Sequence, residues 1–346
     1  MKILVATTYV PFIRGGATMI ASELVHALEE RSHEVQLLTI PFLSVWTEME
    51  RQMLAIRMMK VEHLADRLIC IRTPSYMLRH DNKVAWFIHH HRGAYDLWGT
   101  EYQDVPNTEE GLRFRQYLFD SDNMALREVK ALYTNSKRVS QRLKKYNDLD
   151  STVLYPPLTR APNFYCEAFD NYIFYPSRIS GHKRQSLAIE AMQFVQNKEV
   201  KMVIAGSPDM PYQLAELEKL VETLNLSDRV TILGRWISED EKIALFARAR
   251  AGIYIPLDED SYGYPTLEGF ASEKPMITCT DSGGTLEIIE DGVNGYASAP
   301  EAESLGKIID LLANNENLAR ELGQAGKKKM ESMNISWDRV VEALTA

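Results

Sequence analysis

The chain has 346 residues, of which 45% are hydrophobic and 25% charged, and its formal net charge is −9. This is the composition of an ordinary soluble globular protein with enough apolar residues for two sizeable cores. No run approaches the roughly 18 apolar residues of a membrane span. Neither half is basic enough for non-specific binding to nucleic acid, so no nucleic-acid partner is expected.

The charges divide unevenly along the chain. Residues 1–160 carry 21 basic and 19 acidic side chains, a net charge of +2, whereas residues 161–346 carry 18 and 29, a net charge of −11. Seven of the eight histidines lie in the first part, and only His182 lies in the second. At about 150 residues per domain, the length predicts two domains, and the charge difference indicates that they have different tasks.

The cysteines and the N-terminus indicate an ordinary cytoplasmic protein. Cys70, Cys166 and Cys279 lie far apart without metal-ligand spacing, and their odd number argues against a disulfide framework. We expect them to be small buried apolar residues. Residues 1–6 are too short and wrongly flanked for a signal peptide, and they predict a first strand.

Apolar runs alternate with helical patterns along most of the chain, which is typical of parallel sheets covered by helices. In the first part we predict strands at Ile3–Thr7, Val35–Thr39, Leu68–Arg72, Val84–Ile88, Ala131–Thr134 and Thr152–Tyr155, with helices at Ala17–Glu30, Val45–Asp66, Thr108–Arg127 and Ser136–Tyr146. The pattern then restarts, with strands at Tyr172–Tyr175, Met202–Ala205, Val230–Leu233, Gly252–Ile255 and Met276–Thr278, and helices at Arg184–Val195, Tyr212–Leu224, Glu239–Ala249 and Pro265–Glu273. Two doubly wound α/β domains in tandem fit this order.

The join between the domains is predicted near Tyr155-Pro156-Pro157-Leu158, because paired prolines end a strand and stiffen the chain. We therefore predict domains at 1–157 and 158–332. The remaining segment, 333–346, carries apolar residues at helical spacing and is expected to return to the first domain as a strap.

The turn after the first strand, residues 7–16, contains no G-x-G-x-x-G, which argues against a nicotinamide-binding domain. A Walker-type lysine loop is missing as well. Instead, Gly15-Gly16 precedes a predicted helix, where bare backbone N–H groups can approach an anion closely. The alternative is a purely structural glycine pair.

Two loops of the second domain follow predicted strands, where open α/β sheets bind ligands. The first carries Arg178 and Lys183, and an arginine fork beside a lysine suits a diphosphate; solvated loop charges are the alternative. In the second, the backbone amides of Tyr262, Gly263 and Tyr264 are placed to hold phosphate oxygens, ahead of Pro265 at the first helical position.

Carboxylates stand at both ends of this second loop. Asp260 precedes it, and Glu268 lies one turn into the helix, pointing back at the same pocket. Since carboxylates accept hydrogen bonds from sugar and ribose hydroxyls, this pattern favours a nucleotide sugar as ligand. A helix-dipole role for Glu268 is the alternative.

The segment Asp260-Ser261-Tyr262-Gly263-Tyr264-Pro265-Thr266-Leu267-Glu268 resembles the E-x7-E motif of the retaining family 4 glycosyltransferases (glycosyl transferases group 1), which usually reads E-S-F-G-x-P-x-x-E-A. Gly15-Gly16 resembles the glycine pair of that family after its first strand. Arg178 and Lys183 match its diphosphate-binding arginine and lysine.

Two further motifs extend this resemblance along the chain. Residues 283–287, G-G-T-L-E, and residues 291–295, D-G-V-N-G, are similar to a run of the family in the second domain. Residues 336–339, S-W-D-R, resemble the start of its terminal helix, which crosses back to the N-terminal domain. Five motifs in the correct order are far more specific than any one of them.

The resemblance implies a GT-B fold, that is, two facing Rossmann-like domains with parallel sheets and a cleft between them. It implies a donor nucleotide on the C-terminal domain and an acceptor on the N-terminal one. Glu268 would then bind the ribose hydroxyls and Asp260 hydroxyls of the transferred sugar, with retention at the anomeric carbon. Two residues depart from the motif: Asp260 is one methylene shorter than Glu, and Tyr262 replaces Phe.

The histidines of the first domain cluster after the strand at 84–88, in His89-His90-His91-Arg92. By resemblance His89 lines the site near the transferred sugar, and His91 and Arg92 are candidates on the acceptor side; a structural role is the alternative for His89 and His91. Consecutive side chains of an extended segment point apart, which argues against a metal site. We expect neither a metal nor another cofactor.

The cations and backbone amides of the predicted donor site indicate how the leaving group is stabilised. Arg178, Lys183 and the amides after Gly15 and around Gly263 would provide the positive field that a metal otherwise supplies. Asp258-Glu259-Asp260 matches D-x-D formally, but Asp260 is assigned to the sugar. The family implies attack by the acceptor on the face from which the leaving group departs. The turn at Arg235, Trp236 and Ile237 is expected to meet the nucleobase, and Ser261 completes the predicted donor site.

These features predict a retaining, metal-independent glycosyltransferase that moves a hexose from a UDP-sugar, with UDP-glucose as the first candidate. The acceptor is a glycan or a lipid-linked glycan in polysaccharide biosynthesis. The alternatives are a GT-B-fold sugar-nucleotide epimerase and a nucleotide-sugar-binding protein whose activity has decayed.

Residues 49–59, with Arg51, Arg57 and four methionines, fit a core helix better than an interfacial helix. An interfacial helix would dock the protein peripherally at the inner face of the membrane.

Overall fold

A computed structural model describes residues 1–11, 16–158 and 160–346 of the chain. They form two compact units. The first comprises residues 1–157 and 335–346, and the second comprises residues 158–334. The sequence-based division set the corresponding boundaries at 157/158 and 332/333. Gly15 lies outside the described residues.

Strands and helices alternate in both units. The strands are β1 (Lys2–Tyr9), β2 (Glu34–Pro41), β3 (Arg67–Cys70), β4 (Lys83–Phe87), β5 (Ala131–Thr134), β6 (Thr152–Val153), β7 (Tyr172–Pro176), β8 (Lys201–Ala205), β9 (Val230–Leu233), β10 (Ala251–Ile253), β11 (Met276–Cys279) and β12 (Gly295–Ser298). The helices are α1 (Gly16–Glu30), α2 (Trp46–Met58), α3 (Glu109–Leu126), α4 (Lys137–Asn147), α5 (Gln185–Phe194), α6 (Pro211–Thr223), α7 (Glu239–Arg248), α8 (Tyr264–Ala271), α9 (Ala302–Asn314), α10 (Glu316–Ser332) and α11 (Trp337–Thr345).

Each unit is built on one six-stranded parallel sheet. The strand order is β2-β1-β3-β4-β5-β6 in the first unit and β12-β11-β10-β7-β8-β9 in the second. Central strands are buried along their length, since helices cover a parallel sheet on both faces. In both sheets the chain builds outward on one side of its first strand and then switches to the other side, which is the doubly wound topology.

Some predicted elements differ from those observed. Helix α2 ends at Met58 rather than at Asp66, because Met59 is already extended, with φ −66° and ψ 127°. The sequence interpretation also missed β12, α9 and α10. Strand β12 reads Gly-Tyr-Ala-Ser and has no apolar run, so its strand identity comes from pairing with β11.

The last helix, α11, packs on the first unit. Val340, Val341 and Leu344 form its buried face. Two side chains of the sheet bind its carbonyl groups: Arg67 donates from Nη1 to Leu344 O at 2.8 Å, and Tyr133 Oη donates to Ala343 O at 2.8 Å. These bonds satisfy carbonyls that the end of a helix leaves without intrahelical partners.

The interior of the first unit contains a carboxylate without a lysine or arginine partner among the contacts that the structure describes. Asp122 of α3 is fully buried and accepts hydrogen bonds from Tyr76 Oη at 2.8 Å and Tyr95 Oη at 2.7 Å. Burial raises the pKa of Asp122 to about 6, although both hydroxyl hydrogen bonds oppose this shift. The folded unit therefore favours the protonated carboxyl more than the unfolded chain does.

Of the three cysteines, Cys70 and Cys279 are buried as expected, whereas Cys166 is half-buried; all three are free. In the described part of the chain, every helix falls short of the length and apolarity needed to cross a membrane.

We predict that Leu344→Ala lowers the free energy of unfolding of the first unit by about 2–5 kcal/mol, because it opens a cavity beneath a fully buried side chain. Chemical denaturation followed by fluorescence measures the change. The matched control is Glu342→Ala on the exposed face of the same helix, where we expect a change within about 0.5 kcal/mol. Equal effects of the two substitutions would contradict the packing described here.

We also predict that wild-type protein loses stability relative to Asp122→Asn as the pH rises from 4 to 7. A carboxyl whose pKa is raised to about 6 stabilises the fold below its ordinary pKa of 3.8, and this contribution is lost as the pH rises through 6. Two pKa units correspond to about 3 kcal/mol. Urea denaturation across this range measures the difference. The control is the difference between wild type and Asp120→Asn, an exposed position on the same helix that leaves Asp122 in place; it should change less with pH than the difference for Asp122→Asn.

Candidate active site

The predicted donor-binding loops of the second unit lie at the switch point of its sheet. Strands β7 and β10 are neighbours, yet the chain leaves β7 toward β8 and returns to β10 only later. The loop after β7 carries Arg178 and Lys183, and the loop after β10 leads to Glu268. Because all strands are parallel, both loops emerge at the same edge, where doubly wound sheets bind ligands.

Lys183 is buried in a polar cluster between these loops. Its ammonium donates to Tyr254 Oη at 2.8 Å and forms an ion pair with Glu259. Tyr254 Oη donates in turn to Glu259 Oε2 at 2.6 Å. Burial and the nearby Glu259 carboxylate raise the pKa of Tyr254 well above its ordinary value, so the phenol stays protonated.

Arg178 lies at the rim of the same edge. Its side chain is 43% exposed, and Nη1 lies 2.9 Å from Asp209 Oδ1, in the loop after β8. Burial raises the pKa of Asp209, and the charge of Arg178 opposes this shift. The two cations predicted to bind a diphosphate are therefore each held by a carboxylate.

Arg184, which the sequence interpretation did not single out, fixes the two loops to each other. Its guanidinium donates to Ile255 O at 2.7 Å and to Pro256 O at 3.0 Å. It also forms a bidentate pair with Asp281, in which both N···O distances are 2.7 Å. No sequence signal separates Arg184 from its neighbour Lys183, because the partner Asp281 comes from the distant loop after β11.

Glycines allow the loop after β10 to be built from close backbone contacts. Gly263 has φ +70°, and a Cβ atom there would lie 2.2 Å from the Tyr254 ring. Gly284, in the predicted G-G-x-x-E motif, donates to Glu259 O at 2.8 Å, and its own Cβ atom would lie 2.5 Å from Ser261 C. This motif thus supports the loop that carries the predicted donor-binding residues.

The predicted donor-binding residues differ in burial. Tyr262 is buried, with its carbonyl accepting from Thr266 Oγ1 at 2.6 Å. Asp260, Ser261 and Tyr264 are half-buried. The extra hydroxyl of Tyr262 thus sits on a ring that packs into the interior of the unit.

Glu268 is 3% exposed and forms an ion pair with Lys242 of α7, with 2.6 Å between Nζ and Oε1. Lys242 also contacts Glu239 Oε1 at 3.0 Å. Lys242 was missed at the sequence level, since α7 and α8 stand on either side of β10 in the chain and meet only in the fold. Glu268 thus has a specific cationic partner, which the helix-dipole alternative does not include.

The turn predicted to meet the nucleobase follows β9, on the same sheet edge. Arg235 forms a bidentate pair with Glu241, at 2.6 and 2.9 Å. Trp236 is 49% exposed, whereas Ile237 is buried. The exposed indole face is the part of this turn suited to stacking.

The histidine cluster of the first unit follows β4. His90 is buried, stacks on Tyr95 at 4.2 Å between ring centroids and contacts Asn147 Oδ1 at 2.8 Å. His91 is buried beside Asp104, at 3.0 Å, and His89 Nδ1 lies 2.6 Å from His90 O. The three side chains thus have separate surroundings.

The remaining predicted residues of the first unit are placed as follows. Arg92 Nε donates to Asp96 Oδ2 at 2.8 Å. Gly16 is the exposed first residue of α1; anion binding there stays a prediction. Across the residues that the structure describes, no group of three His, Cys, Asp or Glu side chains is arranged to hold a metal ion; metal independence stays a prediction.

The fold defined by these two units is the GT-B fold. The lipopolysaccharide biosynthesis glycosyltransferase WaaG superimposes with a TM-score of 0.79 at 15% identity, covering 100% of both chains. Anabaena HepE in complex with UDP-glucose superimposes with a TM-score of 0.75 at 14% identity, covering 99% of this chain and 98% of HepE. At these identities the likeness concerns the fold.

Residues 167–329 match the family model described as glycosyl transferases group 1. The resemblance that the motifs of the second unit predict is therefore confirmed over this segment. Human alpha-1,3/1,6-mannosyltransferase ALG2 is 27% identical over 215 residues, 55% of this chain and 50% of ALG2. The chain spans about half the length of the curated relatives it matches.

We predict that Gly263→Ala lowers the free energy of unfolding of the second unit by about 2–5 kcal/mol, because the new Cβ adds a clash with Tyr254 to the strain of a positive φ. Gly292→Ala is the matched control: Gly292 also has φ +70°, but nothing lies within 4 Å of its Cβ position. There we expect only the backbone strain of about 1–2 kcal/mol. Denaturation of both variants measures the difference, and equal losses would contradict the role of the close contact.

Proposed function

We propose that the protein is a retaining glycosyltransferase that moves a hexose from a UDP-linked sugar to a glycan or lipid-linked acceptor in polysaccharide biosynthesis. The observation that carries this proposal is that the loops after β7 and β10, which carry or lead to Arg178, Lys183 and Glu268, emerge at one sheet edge at the switch point between these strands. The group 1 match of this unit and the role of WaaG in lipopolysaccharide biosynthesis support it.

Departure of a nucleoside diphosphate develops negative charge on phosphate oxygens. In the proposed reaction Arg178 and Lys183 stabilise this charge, together with the backbone N–H groups around Gly263. The carboxylate partners Asp209 and Glu259 keep both cations at this sheet edge before the donor binds. These groups supply the positive field of a metal-independent transfer.

The carboxylates at the ends of the loop bind hydroxyls in this proposal. Glu268 accepts from the ribose, and Asp260 accepts from the transferred sugar. UDP-glucose is the first donor to test because HepE, a neighbour in fold, was crystallised with it. The likeness to the mannosyltransferase ALG2 makes a mannose nucleotide the second. The acceptor attacks on the face from which the diphosphate departs, so that the anomeric configuration is retained.

The first unit handles the acceptor in this proposal, with His89, His91 and Arg92 as the side chains concerned. A cytoplasmic location with peripheral membrane contact stays a prediction. Helix α2 buries Met49, Met53 and Ile56, which supports the core-helix interpretation of residues 49–59. Its Arg57 is committed to Glu128 and Met77 O, so Arg51 is the better position for a charge reversal that tests vesicle binding.

We predict that Arg178→Ala lowers the transfer rate about 10²–10³-fold, because it removes a cation from the leaving diphosphate. The assay measures nucleotide release from UDP-glucose and other sugar nucleotides with glycan acceptors, with and without EDTA, and NMR assigns the product anomer. The control is Arg248→Ala, which removes an arginine of similar exposure that is also paired with an aspartate, Asp170, at 2.8 Å. Its rate should stay within twofold of wild type.

Three outcomes would contradict the proposal. A protein that releases no nucleotide and shows no calorimetric binding of UDP, GDP, ADP, dTDP or their sugars would rule out a glycosyltransferase. Tight binding without turnover would favour the decayed binding protein. Conversion of the donor to its epimer without an acceptor would favour the epimerase.

A further inference from the structure

The buried ion pair between α7 and α8 leaves one carboxylate oxygen of Glu268 available. Lys242 Nζ lies 2.6 Å from Oε1, whereas Oε2 accepts no hydrogen bond from any residue that the structure describes. The carboxylate is 4% exposed, and Lys242 is 14% exposed. A buried acceptor with one oxygen fixed and the other uncommitted is suited to a ligand that donates hydroxyl hydrogen bonds.

We infer that Lys242 is a positioning residue: it keeps Glu268 charged and oriented so that Oε2 accepts hydrogen bonds from the ribose hydroxyls of the donor. This inference rests on the proposed function, in which Glu268 binds the ribose. Lys242 itself does not touch the donor. It acts through the orientation and charge of the carboxylate.

Electrostatics explains why a cation is needed at this place. Burial raises the pKa of Glu268, the charge of Lys242 opposes this shift, and Glu239 adds to it. Two other lysines near α8 have other partners: Lys327 of α10 lies 2.9 Å from Glu273, and Lys274 donates to Ala168 O at 2.5 Å. Without Lys242 the pKa of the Glu268 carboxyl would be raised further, and a protonated carboxyl is a weaker acceptor than a carboxylate.

The test compares the affinities of UDP and 2′,3′-dideoxy-UDP by calorimetry. We expect wild-type protein to prefer UDP by about 10- to 100-fold, since hydrogen bonds to a charged group are the strong ones. Lys242→Met should reduce this preference to less than about threefold at pH 7, with unchanged affinity for dideoxy-UDP. Because higher pH favours the ionised carboxyl, the preference of this variant for UDP should increase as the pH is raised. Lys242→Arg, which keeps a cation, should keep most of it.

Control variants separate this role from a structural one. Glu268→Gln should lose the preference at every pH, and the double variant with Lys242→Met should lose nothing more. Lys307→Met removes the lysine of an exposed helical Lys–Glu pair, Lys307–Glu303, and should behave as wild type. Binding of dideoxy-UDP reports that each variant is folded, and Lys242→Gln replaces Lys242→Met if the latter does not fold.

The outcomes distinguish the inference from the proposed function. A Lys242→Met protein that still prefers UDP as strongly as wild type overturns the inference. A wild-type protein that binds UDP and dideoxy-UDP equally overturns the ribose role of Glu268. A wild-type protein that binds neither overturns nucleotide binding altogether.

Discussion

Charge withdrawn from water needs a partner of opposite charge, and this constraint organises the carboxyl edge of the second sheet. Lys183 lies against Glu259, Lys242 against Glu268, and Arg184 against Asp281. An unpaired buried charge costs several kcal/mol, so each pair constrains the elements that carry it. Since the partners come from different loops and helices, the ion pairs also fix how those elements meet.

Close backbone packing provides the second constraint, and it depends on glycine. The loop after β10 passes Gly283 and Gly284 at distances that leave no room for a Cβ atom. A parallel bridge joins Glu259 to Gly283, and Asp258 N donates to Asp281 O at 2.9 Å. Main-chain bonds thus position Glu259 for Lys183, so the glycines and the ion pairs support one arrangement.

The sequence predicted the strands and the residues of the loops better than the ion-pair partners that join them. The α/β class and most strands follow from apolar runs. Arg178, Lys183 and Glu268 were predicted as site residues because they lie on the loop after β7 and on the helix that follows the loop after β10. The partners Lys242 and Asp281 could not be found, since their contacts arise from strand order, which periodicity does not specify. Strand β12 was missed for a related reason: a short Gly-Tyr-Ala-Ser segment becomes a strand only beside β11.

The net charge of the second part of the chain does not describe the surroundings of the individual cations at this sheet edge. Residues 161–346 carry a net charge of −11, yet the proposed ligand is an anion. Arg178 and Lys183 are already neutralised by Asp209 and Glu259, so in the proposed reaction a diphosphate shares or replaces carboxylates as their partner. The Coulomb energy gained by such an exchange is a small difference between two attractive interactions. In the proposed reaction, discrimination between donors then comes from the groups around the diphosphate. These are the Glu268 carboxylate, Asp260 and the half-exposed indole of Trp236, which differ in chemistry and position.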